Sequence, residues 1–367
     1  MQRLICIFAA VVMLSAALPV SAAEIGVNAR SAILIDADDG SVLFEKDSTK
    51  RLPMASTTKI MTALVALEKC PLDREVVIPA AACGIEGSSV YLKAGERLTM
   101  EELLYALLLS SANDAATAIA IEVGGSVEGF AELMNEKVRE FSLTDTHFTN
   151  PHGLDDAAHY TTAADLAAIA KAALANADFR SIVSTYRHAI GSGDSTRHLM
   201  NHNRLLKLYD DAIGVKTGFT KSSGRCLVSA AERDGVTLIA VTLSDPDDWA
   251  DHEAMLDYGF SQIESVSLCE AGDITVKLPC AGGDSDEIRL CNRDALRVTM
   301  RCGHGEIGEI IEAPQYLFAP VEAGTQIGRV RFFCGGKEIG CVPLYAECGS
   351  AYIEEKGFFE RLLELYR

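Results

Sequence analysis

Positive charge is scarce in this sequence. Its 367 residues include 33 Lys and Arg against 52 Asp and Glu, which gives a formal net charge of −19. Nucleic-acid-binding proteins need cations to neutralise phosphates, so this balance argues against nucleic acid as a partner. The hydrophobic fraction of 49% is typical of globular domains and excludes a disordered chain.

Metal-binding patterns are also missing. The sequence has no Cys-x-x-Cys pair, and the spacing of His147, His152 and His159 fits no common ligand pattern. We therefore predict no metal site and no cofactor, and expect these histidines to support the structure. Seven of the ten cysteines that follow residue 23 lie after residue 265. They are either free or, if the protein is exported, paired as disulfides whose connectivity the sequence leaves open.

A long apolar run occurs at the start of the chain. Residues 1–23 begin with a basic residue, Arg3, and end in small residues, the pattern of a secretory signal peptide. The alternative is a membrane-spanning helix, but Pro19 ends the run before the roughly 20 residues that a span needs. No Leu-x-x-Cys sequence precedes the cleavage point, which argues against an N-terminal lipid. We therefore expect an exported protein.

Two hairpins frame the central part of the sequence. Asp39-Gly40 and Asp234-Gly235 each separate two β-rich runs, over 31–46 and 224–245. Between them, apolar residues recur every three or four positions, which favours helices. For residues 24–265 we therefore predict an α/β fold, in which an antiparallel sheet is sandwiched with an all-helical cluster and a cleft separates the two. A helix over 251–260 is expected to end at Gly259.

The pattern changes after residue 265. Over 266–350, short β-type runs alternate with glycine-rich turns, which predicts a small β-sandwich domain that serves as a spacer or a docking module. Residues 351–367 predict an amphipathic helix with an apolar side and a side that carries Glu360 and Glu364. We expect this helix to bind a membrane surface. The alternative is that it packs on the β domain.

A serine and a lysine stand three residues apart in the stretch MASTTKIMTAL. Ser56 is at the predicted start of a helix, and Lys59 follows one turn later on the same face. The helix dipole and burial both favour the neutral amine of Lys59, which could take the proton of the Ser56 hydroxyl. The simpler alternative is that Lys59 extends its charge to water.

Two further motifs follow in the sequence. Ser111-Ala112-Asn113 interrupts two apolar helical runs, so it lies at a helix junction, where polar residues also serve as ordinary caps. Lys216-Thr217-Gly218 precedes a predicted strand, and its glycine leaves room for a ligand to approach. Ser-x-x-Lys, Ser-x-Asn and Lys-Thr-Gly in this order are the signature of β-lactamases and penicillin-binding proteins.

From Ala32 to about Phe260 the sequence resembles the serine-type D-alanyl-D-alanine carboxypeptidases, the low-molecular-mass penicillin-binding proteins. The stretches MASTTKIMTAL, LLLSSANDAA, NPHGLDD, YTTAADLA and GVKTGFTKSSGRCLVSAA carry this resemblance. It implies a β-lactamase/transpeptidase-like fold and the removal of D-alanine from peptidoglycan stem peptides that end in D-Ala-D-Ala. It also implies covalent inhibition by β-lactam antibiotics. The β domain and the amphipathic tail match the layout of the family, which acts at the outer face of the cytoplasmic membrane.

The resemblance also implies a role for each motif residue. Ser56 forms the acyl-enzyme, Lys59 is its base, and Ser111 relays a proton to the leaving D-alanine. In the implied substrate site, Asn113 hydrogen-bonds the peptide, and Lys216 and Thr217 hold its terminal carboxylate. Gly218 belongs to the strand along which the substrate lies, and the Phe219 N–H completes the oxyanion hole with the Ser56 N–H.

One family feature is missing. Family members often carry an arginine after the last hairpin, but residues 244–260 contain no Lys or Arg. Either Lys216 and Thr217 suffice for the carboxylate, or Lys221 or Arg225 contributes.

Three alternative functions remain open at this point. A β-lactamase usually needs a glutamate in the loop after the Ser-x-Asn element, and residues 142–160 contain none. The other two are a peptidoglycan endopeptidase and a non-catalytic wall-binding protein on the same scaffold.

Overall fold

The computed structural model describes residues 25–353. The predicted signal peptide, residues 1–23, therefore lies outside the described residues, and so do residues 354–367 of the predicted C-terminal helix. The strands are β1 Ser31–Asp36, β2 Val42–Lys46, β3 Glu75–Val77, β4 Arg97–Thr99, β5 Arg187–Ile190, β6 Arg197–Met200, β7 Ala212–Thr220, β8 Gly224–Arg233, β9 Val236–Leu243, β10 Ile263–Cys269, β11 Thr275–Ala281, β12 Glu287–Asn292, β13 Leu296–Arg301, β14 Ile307–Glu312, β15 Leu317–Phe318, β16 Gln326–Cys334 and β17 Lys337–Ala346. The α-helices are α1 Lys59–Lys69, α2 Met100–Leu109, α3 Asn113–Gly124, α4 Val127–Glu140, α5 Ala163–Leu174, α6 Ala177–Ser184, α7 Leu205–Leu208 and α8 Asp248–Gln262.

The predicted antiparallel sheet is present and has the order β2-β1-β9-β8-β7. Its two hairpins, β1–β2 and β8–β9, turn at the predicted Asp-Gly pairs. Both faces of the sheet are buried, and successive side chains of a strand point to opposite faces, so neighbouring residues enter different cores. In β1, Ile33 packs into the core shared with the helical cluster, whereas Leu34 packs into the core beneath α8. The predicted sandwich is therefore confirmed, and β7 is the edge strand that faces the cleft.

Helix α8 corrects one prediction. It runs from Asp248 to Gln262, and Gly259 lies inside it rather than at its end. A Cβ at Gly259 would lie 2.6 Å from Leu238 Cδ1 and 2.8 Å from Leu34 Cδ2. The glycine therefore serves close packing of the helix on the sheet, and its sequence position does not mark a helix end.

The C-terminal part is all-β, as predicted. A six-stranded sheet has the order β14-β16-β17-β12-β11-β15, and β10 pairs with β13. The first of these strands starts at Ile263, and the boundary at residue 265 remains a prediction. Residues 351–353, the first of the predicted C-terminal helix, are not helical, and Tyr352 bridges Gly283 of the β domain, so the helix prediction is wrong for these three residues.

All ten cysteines of residues 25–353 are free. Within the same range, no group of three or more His, Cys, Asp or Glu side chains is arranged to hold a metal ion. None of the helices described is both long enough and apolar enough to cross a membrane.

Candidate active site

The nucleophile segment begins with a short 3-10 helix over Ala55–Thr58 that leads directly into α1. Ser56 therefore lies at the start of the helix, as predicted, and Lys59 is the first residue of α1. Ala55 has a φ of +47°, in the left-handed region that residues with a Cβ rarely occupy. Such a conformation persists only where the surroundings hold it, which makes this segment a candidate functional site.

The amine of Lys59 is completely buried and has three polar neighbours. Its Nζ lies 2.9 Å from Ser56 Oγ, 2.7 Å from Asn113 Oδ1 and 2.7 Å from the carbonyl oxygen of His152. Burial lowers the pKa of Lys59 well below its usual value, the charge of Lys216 lowers it further, and Asp114 opposes both effects.

These neighbours fix the direction of the amine. A neutral amine has two hydrogens and one lone pair. The two carbonyl-type oxygens, Asn113 Oδ1 and His152 O, can only accept, so they take both hydrogens. The lone pair of Lys59 then points at the Ser56 hydroxyl, which is the arrangement a general base needs.

The second motif lies between α2 and α3, as predicted. Asn113 is the first residue of α3, and its amide nitrogen donates to the carbonyl of Glu86 at 2.5 Å, which orients Oδ1 toward Lys59. Ser111 has a φ of +57°, is 4% exposed and lines the cleft. The helix junction therefore brings Ser111 and Asn113 to the same place as Ser56 and Lys59.

The third motif is on the edge strand β7. A Cβ at Gly218 would lie 3.0 Å from the Ser56 nitrogen, so glycine allows β7 to approach the nucleophile this closely. Lys216 is buried, and burial lowers its pKa to about 7. Its Nζ donates to the Thr217 carbonyl at 2.8 Å. Thr217 and the exposed Phe219 line the cleft.

The loop over 149–159 contacts the helical segment that carries the nucleophile. His152 contributes its carbonyl to Lys59, and His159 is bonded to Thr58 at 2.8 Å. Burial lowers the pKa of His152 to about 3 and that of His159 to about 4, so both rings are neutral at physiological pH. His147 is bonded at 2.7 Å to the carbonyl of Ala158 at the edge of this loop.

These three motifs meet at one cleft. A cavity of about 790 Å³ contains Ser56, Ser111, Thr217, Gly218 and Phe219 in its wall. It lies where the sheet edge meets the helical cluster, as the sequence predicted.

Comparison with known families identifies this arrangement. Residues 18–247 match the family model of D-alanyl-D-alanine carboxypeptidases, peptidase family S11, and residues 264–348 match the C-terminal domain of penicillin-binding protein 5. The chain belongs to the S11 carboxypeptidase family. The resemblance noted in the sequence is thereby confirmed, and so is the predicted class of enzyme, a serine carboxypeptidase of the penicillin-binding type.

Individual relatives of this S11 carboxypeptidase cover most of its length. It is 32% identical over 335 residues to the D-alanyl-D-alanine carboxypeptidase DacF of Bacillus subtilis, which covers 88% of this chain and 86% of the relative. It is 32% identical over 354 residues to DacC of Escherichia coli, with coverages of 92% and 87%. The crystal structure of penicillin binding protein 5 from Haemophilus influenzae superposes with a TM-score of 0.65 at 28% identity, covering 89% of this chain and 98% of that one.

The S11 carboxypeptidase also has cleft residues that the sequence motifs did not reveal. Trp249, the single tryptophan of the chain, lines the cavity together with Arg204 and Arg225, whose guanidinium carbons lie 5.8 and 5.5 Å from the centre of its ring. Arg225 also pairs with the buried carboxylate of Asp248 at 2.8 Å. Lys221, the other cation considered for the carboxylate, is not part of the cavity wall.

Proposed function

We propose that this enzyme removes the terminal D-alanine from peptidoglycan pentapeptides through an acyl-enzyme on Ser56. The observation that carries the proposal is the buried amine of Lys59, whose pKa burial lowers, at 2.9 Å from Ser56 Oγ, with Asn113 Oδ1 and His152 O as its two other neighbours. A hydroxyl becomes a nucleophile when an adjacent base can accept its proton.

The first half of the reaction forms the acyl-enzyme. Lys59 takes the proton of Ser56 as Oγ attacks the carbonyl carbon of the penultimate D-alanine. The backbone N–H groups of Ser56 and Phe219 stabilise the negative charge that develops on the carbonyl oxygen. Ser111 relays this proton from Lys59 to the leaving nitrogen, the peptide C–N bond breaks, D-alanine departs, and Lys59 is neutral again.

The second half releases the shortened peptide. Water attacks the ester, with Lys59 as the base, and the bond to Ser56 Oγ breaks. A β-lactam would acylate Ser56 in the same way, and its product would occupy the cleft.

Substrate binding is assigned to the remaining motif residues. Asn113 hydrogen-bonds the peptide, and Gly218 allows the substrate strand to lie along β7, whose free edge suits an extended ligand. Lys216 and Thr217 hold the terminal carboxylate. Arg225 is a further cation for this anion, because it lines the cleft and lies opposite Phe219 in the β7–β8 register.

Fluorescent penicillin tests the nucleophile. The purified protein should be labelled covalently, mass spectrometry should find the adduct on the peptide that contains Ser56, and Ser56→Ala should abolish the label. Ser192→Ala, which alters an exposed serine outside the cleft, is the matched control. Persistent labelling of Ser56→Ala would remove Ser56 from its role.

Product analysis separates the alternative activities. D-alanine release from a pentapeptide supports a carboxypeptidase, whereas cleavage of a cross-linked dimer alone would support an endopeptidase. Rapid, repeated hydrolysis of a β-lactam would support a β-lactamase.

We further propose that the protein is exported and that residues 354–367 attach it to the outer face of the cytoplasmic membrane. Support comes from the apolar side of this segment, which includes Phe358, Phe359 and Leu362. Deletion of 354–367 leaves the pairing of Tyr352 with the β domain intact and should release the protein from membrane fractions. Continued sedimentation with membranes would favour packing of the tail on the β domain instead.

A further inference from the structure

A chain of hydrogen bonds runs behind the nucleophile, from the 149–159 loop to the peptide bond between Ala55 and Ser56. We propose that His159 and Thr58 act through this chain as positioning residues, which orient and polarise the Ser56 N–H for oxyanion binding. The inference rests on the proposed function, in which this N–H is an oxyanion donor.

The donor and acceptor of each hydrogen bond in this series follow from the first bond, between Thr149 and His159. The backbone N–H of Thr149 donates to Nδ1 of His159 at 3.0 Å, so Nδ1 carries no proton. In the neutral ring the proton is then on Nε2, which lies 2.8 Å from Thr58 Oγ1 and donates to it. The Thr58 hydroxyl in turn donates a hydrogen bond to the Ala55 carbonyl at 2.8 Å.

Burial makes these bonds persistent. Thr58 is 0% exposed, Ala55 is 2% exposed and His159 is 3% exposed. Water therefore does not compete for the donors, and a buried polar group that lost its partner would be costly. Burial also keeps the His159 ring neutral, which its role as an acceptor at Nδ1 requires.

The last bond of the chain acts on the catalytic peptide. In a trans peptide the C=O and N–H bonds point in opposite directions, so a fixed Ala55 carbonyl fixes the Ser56 N–H as well. This N–H lies beside Gly218 at the cleft, and within residues 25–353 no loop or turn carbonyl accepts from it. Hydrogen bonds in series polarise one another, so a donor on the Ala55 carbonyl strengthens the Ser56 N–H as a donor.

The backbone around Ala55 explains why such support is needed. Its φ of +47° is unfavourable for a residue with a Cβ and must be held by its surroundings. Gly153 packs against the same carbonyl, since a Cβ there would lie 1.9 Å from the Ala55 oxygen. Thr58 therefore holds this oxygen through a hydrogen bond, and Gly153 holds it through close contact.

The test compares Thr58→Val, which removes the hydroxyl and keeps the shape, with Thr58→Ser, which keeps the hydroxyl. Acylation by benzylpenicillin is followed at saturating and limiting concentrations. We expect Thr58→Val to lower the saturated acylation rate at least about tenfold and to leave the half-saturating concentration unchanged, because the loss is felt where charge develops. Thr58→Ser should recover most of the rate.

Infrared spectra of the acyl-enzyme give a readout that a purely structural role would not move. In Thr58→Val the ester carbonyl stretch should shift to higher wavenumber, because its hydrogen bond in the oxyanion hole is weaker. His159→Leu removes the donor to Thr58 and should shift the band in the same direction, so it replaces Thr58→Val if that variant does not fold.

Two results would overturn the inference, and they are distinguishable. An unchanged rate and an unchanged carbonyl band, with only a lower melting temperature, would make Thr58 and His159 structural. Failure of the wild-type protein to be acylated at Ser56 would overturn the proposed function and this inference with it.

Discussion

Replacing Asn113 by aspartate tests whether the neutral state of Lys59 controls the reaction. Asn113→Asp keeps the shape of the side chain and places a carboxylate oxygen where Oδ1 now lies, 2.7 Å from Lys59 Nζ. Coulomb's law at an effective dielectric constant of about 20 gives an attraction of about 6 kcal/mol for unit charges at that distance. Desolvation of the new carboxylate, and repulsion between its second oxygen and the Glu86 carbonyl that Asn113 Nδ2 now contacts, offset much of this attraction, so we expect a net gain of at least about 1.4 kcal/mol for the ammonium form of Lys59.

That gain corresponds to about one unit in the pKa of Lys59. A general base must be deprotonated to act, so the acidic limb of the acylation profile should move to higher pH by at least about one unit, and the acylation rate at a fixed pH on that limb should fall about tenfold. The assay is the acylation rate with a chromogenic β-lactam from pH 5 to pH 10. The uncharged control is Asn113→Leu, which removes both polar contacts of Asn113 and should not move the limb upward. A lower rate with an unmoved acidic limb in Asn113→Asp would refute the reasoning and would leave Asn113 as a contact to the substrate only.

The remaining predictions concern stability. Gly259→Ala should lower the free energy of unfolding by about 1–3 kcal/mol in urea denaturation, because its Cβ would press on Leu238. The control is Gly308→Ala, which has open space around it and should change the free energy of unfolding little. Equal effects of the two substitutions would contradict the packing argument. Burial lowers the pKa of His252 to about 3, so between pH 6.5 and 3 the unfolded chain takes up a proton that the folded protein refuses, and stability falls as the pH falls. His252→Gln should remove a slope of up to about 1.4 kcal/mol per pH unit from urea denaturation measured across that range, and an unchanged slope would mean that His252 is charged in the folded state. Burial raises the pKa of Asp245 to about 6, so this residue changes stability in the opposite direction as the pH falls. It is present in both the wild type and His252→Gln, so its effect cancels when the two slopes are compared.

The parts of the fold that depend on nearby residues could be predicted from the sequence. The Asp-Gly turns, the helical start that contains Ser56 and the junction at Ser111 each follow from a few neighbouring residues, and all are present in the structure. Gly259 shows the limit of local rules. Its residue type signals a helix end, but contact with Leu34, far away in the sequence, decides its position.

The same distinction applies to the candidate site. Ser56 and Lys59 are three residues apart, so helix geometry alone places them together. Asn113 is 54 residues from Lys59, and no local pattern predicts that its oxygen contacts the amine. The resemblance supplied the motif residues, but Trp249 belongs to no motif, and its position near Arg204 and Arg225 depends on how α8 packs beside β8.

The third partner of Lys59 is a main-chain atom, and this has a consequence for how the enzyme can vary. The peptide carbonyl at position 152 is 93 residues away in the sequence and is the same whichever side chain is attached there. Evolution can therefore exchange His152 without altering the acceptor that the base uses, provided that the path of the chain is kept. The following residue has no such freedom, since any side chain at Gly153 would collide with the carbonyl of Ala55.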